Sequence, residues 1–203
     1  MARRTKAEAE QTRQKILKAA LDLFVEKGYE RTTFEDVADR IQLTKGAVYW
    51  HFKSKPDLFA ELVADMTAQH NEQVSRVLSD PVSLEGLVAH FVERARLIVG
   101  KPVNRKYFLM MLSLDWPAAK FMPIKRRLRL LETGPFVIIE NTLRALQEKN
   151  KVRAGTDIDT TTAVLGAMWL GLMKMKIDQC IEVDLSKAIR SGFGAVIDAI
   201  RAN

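Results

Sequence analysis

The sequence predicts an all-α protein, and three observations carry that reading. Apolar residues recur at the 3.6-residue spacing of an amphipathic helix through nearly the whole of the 203 residues. No stretch sustains the apolar–polar alternation of a half-buried strand. The periodic segments are punctuated by helix start and stop residues, Thr and Ser before them, Gly and Pro after or just inside them. Hydrophobic residues at 47% and charged residues at 28% give the balance of a globular chain rather than a disordered one.

The first helix follows from Ile16, Leu17, Ala20, Leu21 and Phe24, and closes at Lys27-Gly28, a cation in the last turn followed by a glycine beyond it. Thr33 then caps a second helix, with Asp36 as a weaker partner in a capping box; Phe34, Val37, Ala38 and Ile41 form its buried face. After a tight break at Gln42-Leu43, Thr44 caps a very short third helix ending near Phe52. Ser54 begins a fourth, with Pro56 in its first turn and Leu58, Phe59, Leu62, Val63 and Met66 on its apolar face. Beyond Pro81, the run Leu84, Leu87, Val88, Phe91, Ala95, Ile98 gives a fifth, ending at Gly100. Residues 105–114 read as a short helix closed by Trp116-Pro117, and residues 124–148 as a long one kinked at Gly134-Pro135. Helices from about Asp159 to Asp178 and from Leu185 to Ala202 complete a count of about nine.

The last two helices carry a second stripe of small residues. Ala163, Ala167 and Gly171 share one face, as do Ala188, Gly192, Ala195 and Ala199; bulky Leu165, Trp169, Leu172, Ile189, Phe193, Val196 and Ile200 fill the other. Small faces let backbones approach closely, so two such helices from each of two subunits would build a four-helix interface, with packing inside one chain as the alternative.

Several classes are excluded. The longest apolar run, Ala163 to Met173, has eleven residues, against the ~20 a membrane span needs. No apolar run follows the basic opening MARRTKAEAEQTRQ, so no secretory signal is expected. The single cysteine, Cys180, rules out an internal disulfide and a cysteine-built zinc site, and suits a cytoplasmic location. The formal charge of +7 favours a polyanionic partner. Its distribution is uneven: +4 over residues 1–56, −4 over 57–100, +8 over 101–153 and −1 over 154–203. Charge alone points to the third block, around Lys125-Arg126-Arg127-Leu128-Arg129, whereas the motifs point to the first.

Phe34 to Phe52 has helix-turn-helix spacing, braced by a longer helix before it. On the second of these helices Thr44 offers a hydroxyl at the positive end of the helix dipole, and Lys45 can reach a guanine edge or a phosphate. Ala47 can touch a thymine methyl, while Gly46 costs about 1 kcal/mol relative to alanine, a cost that close approach of backbone to DNA would explain. Val48 and Phe52 point to the core; Tyr49, His51 and Lys55 present polar tips to the phosphate chain. The longer string GYERTTFEDVADRIQLTKGAVYWHFKSKPDLF, Gly28 to Phe59, resembles the DNA-binding domain of TetR-family transcriptional regulators, most of all the AcrR-like branch that represses multidrug efflux operons. The opening MARRTKAEAEQTRQKIL is similar to that branch too, and the resemblance covers about residues 5–66.

The resemblance implies a helix-turn-helix domain over residues 1–54 and a helical ligand-binding and dimerisation domain over 55–203. It implies a homodimer on a near-palindromic double-stranded DNA operator, released by a small hydrophobic effector, with no cofactor and no membrane. DNA contacts carry over to Thr33, Thr44, Lys45, Gly46, Ala47, Tyr49, His51 and Lys55, with Trp50 either a contact or packed on the first helix. The effector cavity falls to Met66, His70, Phe91, Phe108, Leu112, Trp116, Phe136, Ile139, Met168 and Trp169, residues that would serve equally as core. Few polar groups lie on those faces, which suits a greasy ligand. Arg105, Lys106, Lys125 to Arg129 and Lys151 leave open an anionic, lipid-like effector such as an acyl-CoA, or simply a solvated basic face. An enzyme or metal protein is the rival class, yet His51, His70 and His90 are isolated and no nucleophile elbow, HExxH or phosphate loop is present. A membrane-surface module would need a cationic face opposite a bulky apolar one, which the last two helices lack.

Overall fold

The computed structural model describes residues 6–75, 82–114, 121–122, 126 and 134–202. Among these, nine α-helices follow in order: α1 Lys6–Lys27, α2 Phe34–Arg40, α3 Lys45–His51, α4 Lys55–Ser75, α5 Leu84–Gly100, α6 Pro102–Ser113, α7 Pro135–Glu148, α8 Ile158–Ile177 and α9 Leu185–Ile200. The extended pairing among the described residues is one isolated antiparallel bridge, Val152 with Arg201. No described helix is long and apolar enough to cross a membrane.

Two differences from expectation concern proline. The sixth helix opens at Pro102 rather than Arg105, with Lys101 extended before it. Pro135 likewise opens α7 instead of bending a longer helix, because Gly134 is an extended N-cap. In a first turn the missing N–H of proline leaves no helix bond unmade. Most of the expected stretch 124–133 lies outside the described residues, as do Trp116 and Lys125 and Arg127 to Arg129 of the basic block.

The chain forms two compact units. The first takes in described residues from 1–66 and 103–128, so the expected helix-turn-helix domain is one part of it. Its core joins the inner faces of α1 to α4, with Ile16, Leu17, Phe24, Val37, Val48, Phe52, Leu58 and Phe59 shut away from solvent. An aromatic cluster lies within it: Tyr29 has ring centroids at 5.4 Å from Phe24, 5.2 Å from Phe59 and 5.1 Å from Phe121. Tyr107 and Met110 of α6 belong to the same core, and Lys106 reaches Asp22 of α1 at 2.6 Å.

The second unit takes in described residues from 67–102 and 129–203. Phe91 of α5 stands at its centre, 5.4 Å from the Trp169 ring and 5.2 Å from Phe193. The Trp169 indole N–H donates to the Phe91 carbonyl at 3.2 Å, giving the buried ring its polar partner. Two glycines bring helices close: a Cβ at Gly166 would stand 2.3 Å from the Phe136 ring, and one at Gly192 2.4 Å from Met168 Sδ. The small stripe therefore divides. Gly192 is used within the chain, whereas Ala163, Ala167, Gly171, Ala195 and Ala199 face outward beside the exposed Val164 and Met175.

Candidate nucleic-acid interface

The motif is built from local capping. Thr33 is extended and accepts from the Asp36 amide at 3.2 Å, while its own amide donates to Asp36 Oδ2 at 2.7 Å, so the capping box is complete. Lys27 lies 2.6 Å from the same carboxylate and ties the end of α1 to the start of α2. The Lys27 ammonium and the Thr33 donors hold the Asp36 pKa down at about 2.

The turn between the helices closes α2 by a Schellman arrangement. The Leu43 amide donates to the Ala38 carbonyl at 2.9 Å and the Gln42 amide to the Asp39 carbonyl at 3.2 Å. Gln42 takes the left-handed conformation this requires, with φ of 55°. Thr44 then caps α3, its hydroxyl oxygen accepting from the Ala47 amide at 3.3 Å.

One face of α3 anchors and the other is presented. Val48 and Phe52 are buried, whereas Lys45, Gly46, Tyr49 and Trp50 are exposed and Ala47 and His51 half-buried. Tyr49 sets its ring edge-on to Phe34 at 4.8 Å, which fixes the ring while leaving half of the residue in solvent. Trp50, 73% exposed, meets the His51 ring at 4.5 Å and leaves most of its surface in solvent. Lys45 keeps a 3.5 Å surface pairing with Glu35, which water and salt weaken readily. At Gly46 the nearest atom to an added Cβ would be Thr44 Oγ1 at 3.9 Å, so nothing inside the unit demands glycine there.

Lys55 departs from expectation. Its ammonium turns inward, donating to the Tyr29 and Glu30 carbonyls at 2.9 Å each and lying 4.6 Å from the centre of the Tyr29 ring. Partial burial lowers its pKa.

The residues expected to line an effector cavity divide between the two units. Met66, Phe108 and Leu112 belong to the first unit; His70, Phe91, Phe136, Ile139, Met168 and Trp169 belong to the second, and Trp116 lies outside the described residues. Phe91, Ile139 and Trp169 are packed core, and His70 is buried as well. Phe136 is 41% exposed against Gly166, and Met168 rests on Gly192. Sequence reasoning missed a cavity of about 560 Å³ in the second unit. Its lining includes Leu84 and Leu146 together with Ser83, Glu85, Lys149, Asn150, Lys151 and Arg201. Arg201 is paired there with Glu85 at 2.6 Å. Lys151 was its one signal in the sequence, as a member of the basic block. Among the described residues no cluster of three His, Cys, Asp or Glu is placed to hold a metal ion.

Residues 16–62 match the bacterial regulatory proteins of the tetR family. The chain is 40% identical over 98 residues to the HTH-type transcriptional regulator AcrR of Shigella flexneri, a match covering 46% of each protein. It is 26% identical over 174 residues to the HTH-type transcriptional repressor BepR of Brucella suis, covering 84% of this chain and 83% of that protein. Its fold is similar to SmeT bound to triclosan, with a TM-score of 0.75, 25% identity and coverage of 95% of this chain and 93% of the other. SmeT is the repressor of the Stenotrophomonas maltophilia multidrug efflux pump SmeDEF. The match to the first of these spans less than half the length of that relative.

Proposed function

We propose that this chain, whose residues 16–62 match the tetR family of bacterial regulatory proteins, is a member of that family and a ligand-responsive transcriptional repressor that binds DNA through α3. The observation that carries the reading is the division of α3: Val48 and Phe52 anchor it, and Lys45, Gly46, Tyr49 and Trp50 stand exposed along one edge. Thr44 and the first-turn amides bring the positive end of the helix dipole to that edge, a short helix's natural contact with phosphate. The bare Gly46 leaves room for a groove wall to approach the backbone.

The protein acts as a homodimer in the cytoplasm on a near-palindromic operator. The outward small residues of α8 and α9 support the dimer, whose two copies of α3 would reach major grooves roughly 34–36 Å apart. A small hydrophobic effector releases it, and the regulated genes include efflux functions; the likeness to SmeT, an efflux-pump repressor with triclosan bound, supports this part. Release requires an effector with different affinities for the two states, since a tight but state-blind ligand shifts nothing. A second reading, an anionic lipid-like effector such as an acyl-CoA, draws on Lys149, Lys151 and Arg201 around the apolar Leu84 and Leu146.

Selection of bound fragments from a random duplex pool, followed by footprinting, tests the proposal. A protected site with two-fold symmetric half-sites, released by triclosan-like hydrophobes, is the expected result. Release by acyl-CoA alone favours the second effector. A chain that stays monomeric and selects no duplex even at low salt overturns the reading.

A further inference from the structure

Lys55 sits where the chain leaves the helix-turn-helix, and its two acceptors sit where the chain enters it. α3 ends at His51 and α4 begins at Lys55, while Tyr29 and Glu30 lie just before Thr33, the cap of α2. We propose that Lys55 is a positioning residue, a clasp that closes the helix-turn-helix at its base and so fixes the angle at which α3 meets a groove. The proposal rests on the DNA-binding reading above.

The clasp completes a systematic arrangement. Gly28 turns the chain off α1 with φ of 84°, leaving carbonyls pointing away from the helix. Arg31 donates to the Lys27 carbonyl at 2.7 Å and Thr32 to the Gly28 carbonyl at 2.8 Å. The Tyr29 carbonyl, which also accepts from the Thr32 amide at 3.4 Å, and the Glu30 carbonyl are taken by Lys55 from 26 and 25 residues away. A cation here also meets the negative end of the α1 dipole.

Each side of the clasp is itself held. The Tyr29 ring under the ammonium is fixed by Phe24, Phe59 and Phe121. On the other side, the Lys53 amide donates to Asp57 Oδ2 at 3.0 Å and the Asp57 amide to Ser54 Oγ at 3.3 Å, setting the first turn of α4. An ammonium held by two carbonyls and a ring is directed into the unit rather than out towards a phosphate.

Two readouts separate a clasp from a phosphate contact or a merely structural lysine. Hydrogen exchange of the DNA-free protein comes first. In Lys55→Met, amides of residues 41–47 exchange faster while those of residues 16–24 do not; unchanged exchange in 41–47 overturns the clasp. The second uses a duplex selected by the parent protein and a scrambled duplex of equal length. Lys55→Met loses roughly tenfold on the selected duplex, little on the scrambled one, and keeps the salt slope. Equal loss on both, with a slope reduced by about 0.9 per lost contact, means a phosphate contact. A lowered Tm with the selectivity ratio intact means structure alone, and either result overturns the proposal. Lys55→Gln, which keeps an amide donor, serves if the methionine variant does not fold. Should the parent select no duplex, the function above fails while the exchange result still judges the clasp.

Discussion

His90 predicts a loss of stability in mild acid. It lies on α5, its ring 5.3 Å from Phe91, and its buried Nε2 has no hydrogen-bond partner among the described residues. Burial first, and the Arg94 charge second, lower its pKa from 6.5 to about 4. Above the ordinary value both folded and unfolded chains hold the imidazole neutral, and it contributes no pH dependence. As pH falls from 6.5 towards 4, the unfolded chain takes up a proton that the folded one refuses, so stability declines. Below about 4 both forms are protonated and the decline from this group stops. The full interval corresponds to about 3 kcal/mol; because the ring is not wholly shut off from water, we expect about 1–3 kcal/mol. Urea unfolding of the parent and of His90→Leu, at several values between pH 7.5 and 4, isolates the term, since carboxylate contributions are common to both. The parent should lose the stated amount relative to the variant. Parallel profiles would refute the reasoning.

The remaining predictions concern capping, packing and recognition. Thr33→Ala removes the capping-box acceptor and should destabilise by about 1 kcal/mol in urea unfolding. Because the folded-state pKa of Asp36 is held near 2, the stabilisation tied to its ionised form is present above 3.8 and is lost as pH falls through about 2. Trp169→Ala should cost about 3–5 kcal/mol, from the cavity beside Phe91 and the lost indole bond, measured as a lowered urea midpoint. Lys45→Ala and Tyr49→Phe should weaken binding to a selected duplex with unfolding midpoints little changed, as gel shifts at several salt concentrations would read.

What could be read from the chain was what neighbours in sequence decide. Thr33 with Asp36, Thr44, and the inward Val48 and Phe52 are legible because cap and period act within one turn of helix. The Schellman closure was hidden by chemistry: glutamine, not glycine, occupies the left-handed position at residue 42. The inward turn of Lys55 was not legible because its partners lie 25 and 26 residues upstream, and a lysine's sequence context does not say which way it turns. Trp50 offered two placements, and only three-dimensional packing decides between them. The expected effector residues could not be told from core residues in the sequence, for a general reason. Periodicity marks Phe91 and Trp169 as inward-facing, but whether that interior holds a void or another side chain depends on elements far away in sequence.

The presence of Phe121, Tyr107 and Met110 in one core with Tyr29 and Phe59 bears on anyone who would transplant the helix-turn-helix onto another protein. A graft ending after α3, or even at Met66, would leave aromatic surface that these three residues normally cover. Such a hybrid should aggregate or misfold unless the recipient supplies matching side chains. The segment around 103–122 would have to travel with it, although it begins 37 positions after Met66.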